Sequence, residues 1–202
     1  GFVTPQTGVM RFNATRLRGH RPHHLARLGI ARTLQGVGLF PDLTAVENVM
    51  MGAPTSTGIV ADALAMPWAD RREAQVRARA YESLRELGVE DAAERYPGEL
   101  PYPMQKRVAL ARALIADPQL IMLDEPAGGI GASDIAELAT LIRSWTPHRT
   151  VLLVEHHMDL VMNVCERITV LDAGRVIAVG TPDQVRSNPA VLAAYLGEEA
   201  VV

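Results

Sequence analysis

The stretch LIMLDEP, residues 120–126, decides the fold. Four apolar residues run without a break and end in two carboxylates and a proline. A short continuous apolar run is the pattern of a strand buried on both faces of a parallel sheet. Such sheets bind their ligands at the carboxyl ends of the strands. Asp124 and Glu125 fall at that edge. Asp124 suits a Mg2+ ligand, direct or through water. Glu125 is placed to polarise a water for attack on a phosphate.

Outward from this stretch the same pattern recurs. VLLV at 151–154 and ITVL at 168–171 are further short apolar runs. Helices predicted over 133–145 and 158–165 would join the three strands in β-α-β-α-β order, with right-handed crossovers. The second run leads into Glu155, His156 and His157. A histidine at that position can donate a hydrogen bond to a terminal phosphate. Residues 30–34 read as a strand leading to Gln35, which could touch both Mg2+ and the attacking water. A weak strand is expected over 7–13, a short helix over 22–28 ended by Gly29, and another helix over 45–51.

The clearest helical pattern starts at Asp70, with Glu73 at the reciprocal capping position and Gly88 as the stop. Val76, Ala80, Leu84 and Leu87 form its apolar stripe. A further helix is expected over 104–116, after a break rich in proline. A hairpin over 169–172 and 175–179 turns on Ala173-Gly174 and leads to two short helices.

Composition narrows the function classes. The chain has 202 residues and a net charge of −3, so no global field favours nucleic acid. Cys165 is the single cysteine, which excludes a disulfide framework and points to a reducing compartment. No apolar run approaches the roughly 20 residues that span a bilayer. Any membrane role would therefore come through a partner chain.

Four segments in order carry a family resemblance: RTLQ (32–35), LPYPMQKRVALARAL (100–114), LIMLDEP (120–126) and VLLVEHH (151–157). The chain resembles the nucleotide-binding subunit of an ABC transporter. Details resemble the branched-chain amino acid importers: GIARTLQGVGLFPDLTAVENVMMG at 29–52, VEHHMDLVM at 154–162 and GTPDQV with NPAVLAAYLG between 180 and 197. The resemblance implies an α/β fold: a RecA-like ATPase core, its mostly parallel sheet incomplete here, with an inserted helical subdomain. The core's first part would be residues 1–35, the helical subdomain 36–110 and the rest of the core 111–202.

The resemblance also implies roles. Gln35 would sense Mg2+ and couple to the membrane subunit. Asp124 would carry Mg2+, Glu125 would be the general base, and His156 the histidine that contacts the γ-phosphate. Leu100, Pro101, Tyr102, Pro103, Met104 and Gln105 would be the signature segment that meets ATP bound by a second subunit. Gly131 would lie in the loop facing that subunit. Partners would be a second ATPase subunit, identical or related, the transmembrane permease subunits and, indirectly, an external solute-binding protein. Nucleic acid is not expected. The location would be cytoplasmic, on the inner face of the membrane.

Three departures stand out. The phosphate loop G-x-x-x-x-G-K-[ST] does not occur in these residues, and Lys106, the sole lysine, has no glycine in the five positions before it. An upstream piece carrying the loop is the expectation; a degenerate subunit that only docks is the rival. The signature has Pro101, Pro103 and Met104 where the family form L-S-G-G-Q has serine, glycine and glutamine, and proline has no N–H to give. Gly131 stands where relatives carry Asp or Asn.

Overall fold

The computed structural model describes residues 5–17, 19, 24–33, 36–54 and 67–199. Gln35, the end of the 30–34 strand and the start of the 22–28 helix lie outside them. The chain divides into two compact units: one holds the residues up to Asp124 with His148–Leu152, the other Glu125–Pro147 with Leu153 onward.

In the first unit, β1 (Met10–Phe12) and β2 (Thr15–Leu17) form a small antiparallel hairpin. A 3-10 turn over Ala26–Leu28 ends at Gly29, whose φ of 74° is left-handed and suits glycine. β3 (Ile30–Arg32) then pairs in parallel with β4 (Leu120–Asp124), Ile30 opposite Leu120 and Arg32 opposite Met122. β5 (Thr150–Val154) continues the sheet in the order β3-β4-β5.

Among the described residues, the α-helices of this unit are α1 (Ala45–Met50), α2 (Pro67–Glu86) and α3 (Tyr102–Leu114), which pack on one another. Val46, Val49, Leu84, Leu87, Val108 and Ile115 are buried almost completely between them. Each such side chain gains about 1.5–3 kcal/mol by leaving water. Thr44 and Glu47 form a reciprocal capping box at the start of α1. α2 starts at Pro67, so Asp70 lies inside it rather than at its cap. α3 starts at Tyr102, two residues before the expected position, because a first turn tolerates prolines that lack an N–H.

Polar pins hold the loop between β3 and α1. Asn48 is fully buried. Its Oδ1 accepts from the Phe40 N–H at 2.8 Å, and its Nδ2 meets the carbonyls of Phe40, Leu43 and Thr44 at 3.1, 2.9 and 3.0 Å. Arg112 on α3 donates to the carbonyls of Gly38 and Val37 at 2.8 and 3.2 Å. At Gly52, a Cβ would stand 1.9 Å from the Arg112 carbonyl oxygen, so no larger residue fits there without backbone movement.

In the second unit, α4 (Ala132–Trp145) packs with α5 (Met158–Val164). β6 (Ile168–Asp172) and β7 (Arg175–Gly180) form a separate antiparallel sheet, followed by α6 (Pro182–Arg186) and α7 (Pro189–Glu199). The expected third parallel strand therefore pairs only with its own hairpin partner among the described residues. Val161, Ile168, Ala178, Val185 and Val191 form the core beneath that hairpin, with Cys165 packed against it. Burial pushes the Cys165 thiol up, which suits a packing residue and not a nucleophile.

The run at 151–154 also departs from expectation. Leu152 and Val154 are 52% and 58% exposed, so β5 presents one apolar face to solvent instead of burying both. In β4, Ile121 and Leu123 bury one face completely, while Leu120 and Met122 on the other face are only partly buried.

Replacing Asn48 by alanine strips three backbone carbonyls and one N–H of their buried partner. A loss of about 1–3 kcal/mol is expected. It would show as a thermal midpoint lower by several degrees, since each kcal/mol moves a domain of this size by about 2–4 °C. An unchanged midpoint contradicts the assignment.

Candidate active site

Each unit carries part of the chemistry read from the sequence. In the first, β4 ends at Asp124. The Asp124 N–H donates to the Thr33 hydroxyl at 3.2 Å, and the Thr33 N–H donates to the Met122 carbonyl at 2.9 Å. The residues just after β3 thus continue the parallel pairing to the strand end. Arg32 Nη2 lies 3.0 Å from Asp124 Oδ2, so one carboxylate oxygen is already paired with a guanidinium. Arg32 lay in plain sight in RTLQ, but nothing in the spacing linked it to a residue ninety-two positions away.

The signature segment, Leu100 to Gln105, occupies the start of α3 in the same unit. Pro101 is the N-cap and Pro103 sits in the first turn. A helix start leaves its first N–H groups without intrahelical partners. In α3 these belong to Tyr102 and Met104, because Pro103 has none. Gln105 folds back, its Nε2 donating to the Leu100 carbonyl at 2.9 Å. Lys106 Nζ stands 5.5 Å from the centre of the Tyr102 ring, within cation–π range. Nothing in the sequence around Lys106 pairs it with the Tyr102 ring.

In the second unit, Glu125 takes a φ of 46°, the left-handed region. A residue with a Cβ pays about 1–2 kcal/mol there. Its N–H donates to the Val154 carbonyl at 2.9 Å, and its own carbonyl accepts from Gly128 at 3.2 Å. Such strain, held by neighbouring strands, concentrates at functional positions. No sequence pattern announced it. Gly131 is exposed and serves as the N-cap of α4, without a side chain to cap with.

β5 ends next to this turn, and Glu155, His156 and His157 follow. His156 is exposed, with a side-chain accessibility of 67%. Glu155 is fully buried as a side chain. Its carboxylate accepts from the N–H groups of Ala127, His156 and His157, at 3.0, 2.8 and 3.2 Å, and lies 2.9 Å from His157 Nδ1. A carboxylate can only accept, so His157 carries its hydrogen on Nδ1. Burial alone would raise the Glu155 carboxyl. The His157 hydrogen bond and the three backbone donors outweigh it and hold the group below the ordinary glutamate value. In the sequence Glu155 stands only as the first of the three residues that follow the apolar run 151–154.

Asp124 offers a hard oxygen for Mg2+, and the α3 N-terminus offers N–H groups and a positive dipole end for phosphate. The carboxylate would suit the metal of Mg·ATP and the helix start a phosphate. Within the described residues no helix is long and apolar enough to cross a membrane.

Comparison with known proteins agrees along the chain. The ABC transporter family profile matches residues 1–128, and that of the branched-chain amino acid ATP-binding cassette transporter matches residues 175–201. The high-affinity branched-chain amino acid transport ATP-binding protein BraF of Pseudomonas aeruginosa is 38% identical over 202 residues, covering 98% of this chain and 79% of that protein. LivG of Escherichia coli, of the same description, is 37% identical with the same coverage. The ADP conformation of MJ1267, an ATP-binding cassette of an ABC transporter, superposes with a TM-score of 0.81 at 27% identity, covering 98% of this chain and 80% of that one. A dimeric post-hydrolysis state of the ATP-binding cassette MJ0796, bound to ADP and Pi, shares the fold at a TM-score of 0.71 and 24% identity, covering 90% and 76%. The α/β cassette fold expected from the sequence is the fold the chain has.

Glu155 provides a pH test. A carboxyl held below its ordinary value stabilises the folded state fully above the unfolded value, about 4.3 for glutamate, and loses that contribution as pH falls through the folded value. Glutamine cannot titrate. The stability gap between wild type and Glu155→Gln is thus expected to be widest near neutrality and to narrow on acidification. Denaturant unfolding across that range checks it; a gap independent of pH contradicts it.

Proposed function

The chain belongs to the ABC transporter ATP-binding family, and we propose that it is the ATP-hydrolysing subunit of an importer for branched-chain amino acids or similar small polar solutes. The observation that carries this reading is the turn at Glu125, strained and fastened to the end of the strand that leads into His156. The similarity to BraF and LivG supports the solute class.

In this reading Glu125 accepts a proton from the attacking water. The oxygen of that water bonds to the γ-phosphorus, the bond to the β–γ bridging oxygen breaks, and ADP and phosphate leave. Asp124 would hold Mg2+, which neutralises charge on the phosphates, and Arg32 would share or yield that carboxylate. His156 would donate to the γ-phosphate from its exposed position, and Gln35 would contact Mg2+ and the water. Tyr102 and Met104 would offer their N–H groups, at the start of α3, to ATP held by a second ATPase subunit, with Leu100, Pro101, Pro103 and Gln105 shaping that end and Gly131 close to the same partner.

Permease subunits would hold the protein peripherally at the cytoplasmic face of the membrane, with a solute-binding protein acting on their far side. Phe40 supports this docking. It is 48% exposed, while Leu39 and Leu43 beside it are half-buried. Asn48 grips both the N–H and the carbonyl of Phe40, so the ring is presented on a fixed backbone.

Two outcomes test the reading in the full-length protein. Glu125→Gln is expected to keep ATP binding, trap a nucleotide-bound dimer and lower turnover roughly 100-fold or more, as loss of a general base does; unchanged phosphate release sinks the base assignment. Phe40→Asp is expected to leave the fold intact and release the subunit from membranes that contain its permease. Full retention in the membrane fraction, or loss of folding, speaks against docking through Phe40.

A further inference from the structure

The ATPase reading gives Glu155 no part, yet its side chain is shut off from solvent and lies at the start of the loop that carries His156. Its two oxygens divide their work. Oε1 accepts the N–H groups of His156 and His157 at 2.8 and 3.2 Å and faces His157 Nδ1 at 2.9 Å. Oε2 accepts the N–H of Ala127 at 3.0 Å. Ala127 is itself buried and stands two residues after Glu125. The N–H of Glu125 is taken by the Val154 carbonyl at 2.9 Å. Two consecutive residues, Val154 and Glu155, therefore fasten both ends of the turn from Glu125 to Ala127, and the second also fixes the backbone of His156.

We propose that Glu155 is a positioning residue for ATP hydrolysis: its carboxylate ties the strained turn of Glu125 and the backbone of His156 into one rigid piece. The role rests on the ATPase reading above. The tether acts through backbone amides, so it constrains the turn whatever side chains occupy Pro126 and Ala127. A turn held in the left-handed region at a cost needs such a restraint, because relaxation would swing the Glu125 side chain away. Misplacement by about 1 Å is enough to cost an enzyme roughly 100-fold in rate.

The acceptor chemistry makes the role testable. Glutamine keeps the shape of Glu155 but turns one oxygen into an NH2 group, which only donates. Facing Oε1's partners, that group would meet three donors; facing Ala127 it would meet one. The second orientation wins, so Glu155→Gln keeps its hold on His156 and His157 and lets Ala127 go. Glu155→Asp keeps the charge but shortens the reach, and is expected to free the same amide.

The experiment pairs residue-resolved amide exchange by NMR with steady-state ATP turnover, both on the purified full-length protein. In Glu155→Gln and Glu155→Asp, exchange at Ala127 is expected to quicken by about 10-fold or more, as for a lost buried hydrogen bond. The amides of His156 and His157 keep their rates in Glu155→Gln. Turnover is expected to fall about 10- to 100-fold in kcat, with KM for ATP within about 2-fold. His157→Phe, which removes a ring donor but leaves the carboxylate, keeps Ala127 protected and most of the turnover. Unchanged exchange at Ala127, a freed Ala127 with unchanged kcat, a loss confined to KM, or a His157→Phe as slow as Glu155→Gln each overturns the positioning role. Wild-type protein without turnover overturns the ATPase reading together with it, whereas active wild type with an equally active Glu155→Gln overturns the positioning role alone.

Discussion

One backbone conformation constrains the strand ends around it: Glu125, directly after β4, at a φ of 46°. A strand that simply continued would point successive side chains to opposite faces. The left-handed residue turns the chain instead, so the carboxylate following Asp124 leaves the strand's alternation. Nothing in glutamate favours this region. The conformation persists because the Val154 carbonyl takes the Glu125 N–H, the Glu125 carbonyl takes the Gly128 N–H and the Glu155 carboxylate takes the Ala127 N–H. Three hydrogen bonds of about 1 kcal/mol each are of the size needed to offset such strain.

The first unit solves a different problem with the same means. Between β3 and α1 the described apolar side chains, Val37, Leu39, Phe40 and Leu43, are at most half-buried, so polar pins help to fix the path of the chain. Asn48 serves Phe40, Leu43 and Thr44, and Arg112 serves Val37 and Gly38. Arg112 is partly withdrawn from water, and that burial pulls its affinity for protons down from the usual guanidinium range. A buried amide and a half-buried guanidinium are costly unless saturated with partners. Both reach backbone carbonyls, so the loop and the helices are ordered together.

The sequence made some of this legible and hid the rest for physical reasons. The apolar runs at 120–123, 151–154 and 168–171 are all strands, since short runs rich in branched residues have few other solutions. Their pairing was less visible. Residues 168–172 satisfy their backbone within the hairpin to 175–180, and the Ala173-Gly174 turn places the two segments side by side before any longer connection can compete. The start of α3 slipped for a related reason: the proline-rich stretch that ends at Pro103 reads as a break, but the first turn of a helix does not need the missing N–H. Asp124 and Glu125 were legible because a strand end marks them. Arg32, Thr33 and Glu155 were not, because their meaning lies in partners far along the chain or in backbone donors that no side-chain pattern encodes.

The signature segment shows how a helix start can do with one backbone what glycines do with another. Read as a string, L-P-Y-P-M has lost the donors of L-S-G-G-Q. On α3, however, Pro101 is a cap, outside the helical N–H ladder, and only Pro103 falls where a free N–H would otherwise be available. Tyr102 and Met104 keep theirs, and the dipole of a thirteen-residue helix stands behind them. The sole lysine, packed over the Tyr102 ring, adds positive charge within a turn of the same end. In the proposed reading the change from glycines to prolines therefore trades conformational freedom for a rigid, narrower set of donors. The fixed φ of Pro101 and Pro103 removes backbone freedom at this helix start. Loss of a donor and gain of preorganisation act on the rate in opposite senses, and a donor preorganised for the transition state is worth more than one that must first be ordered.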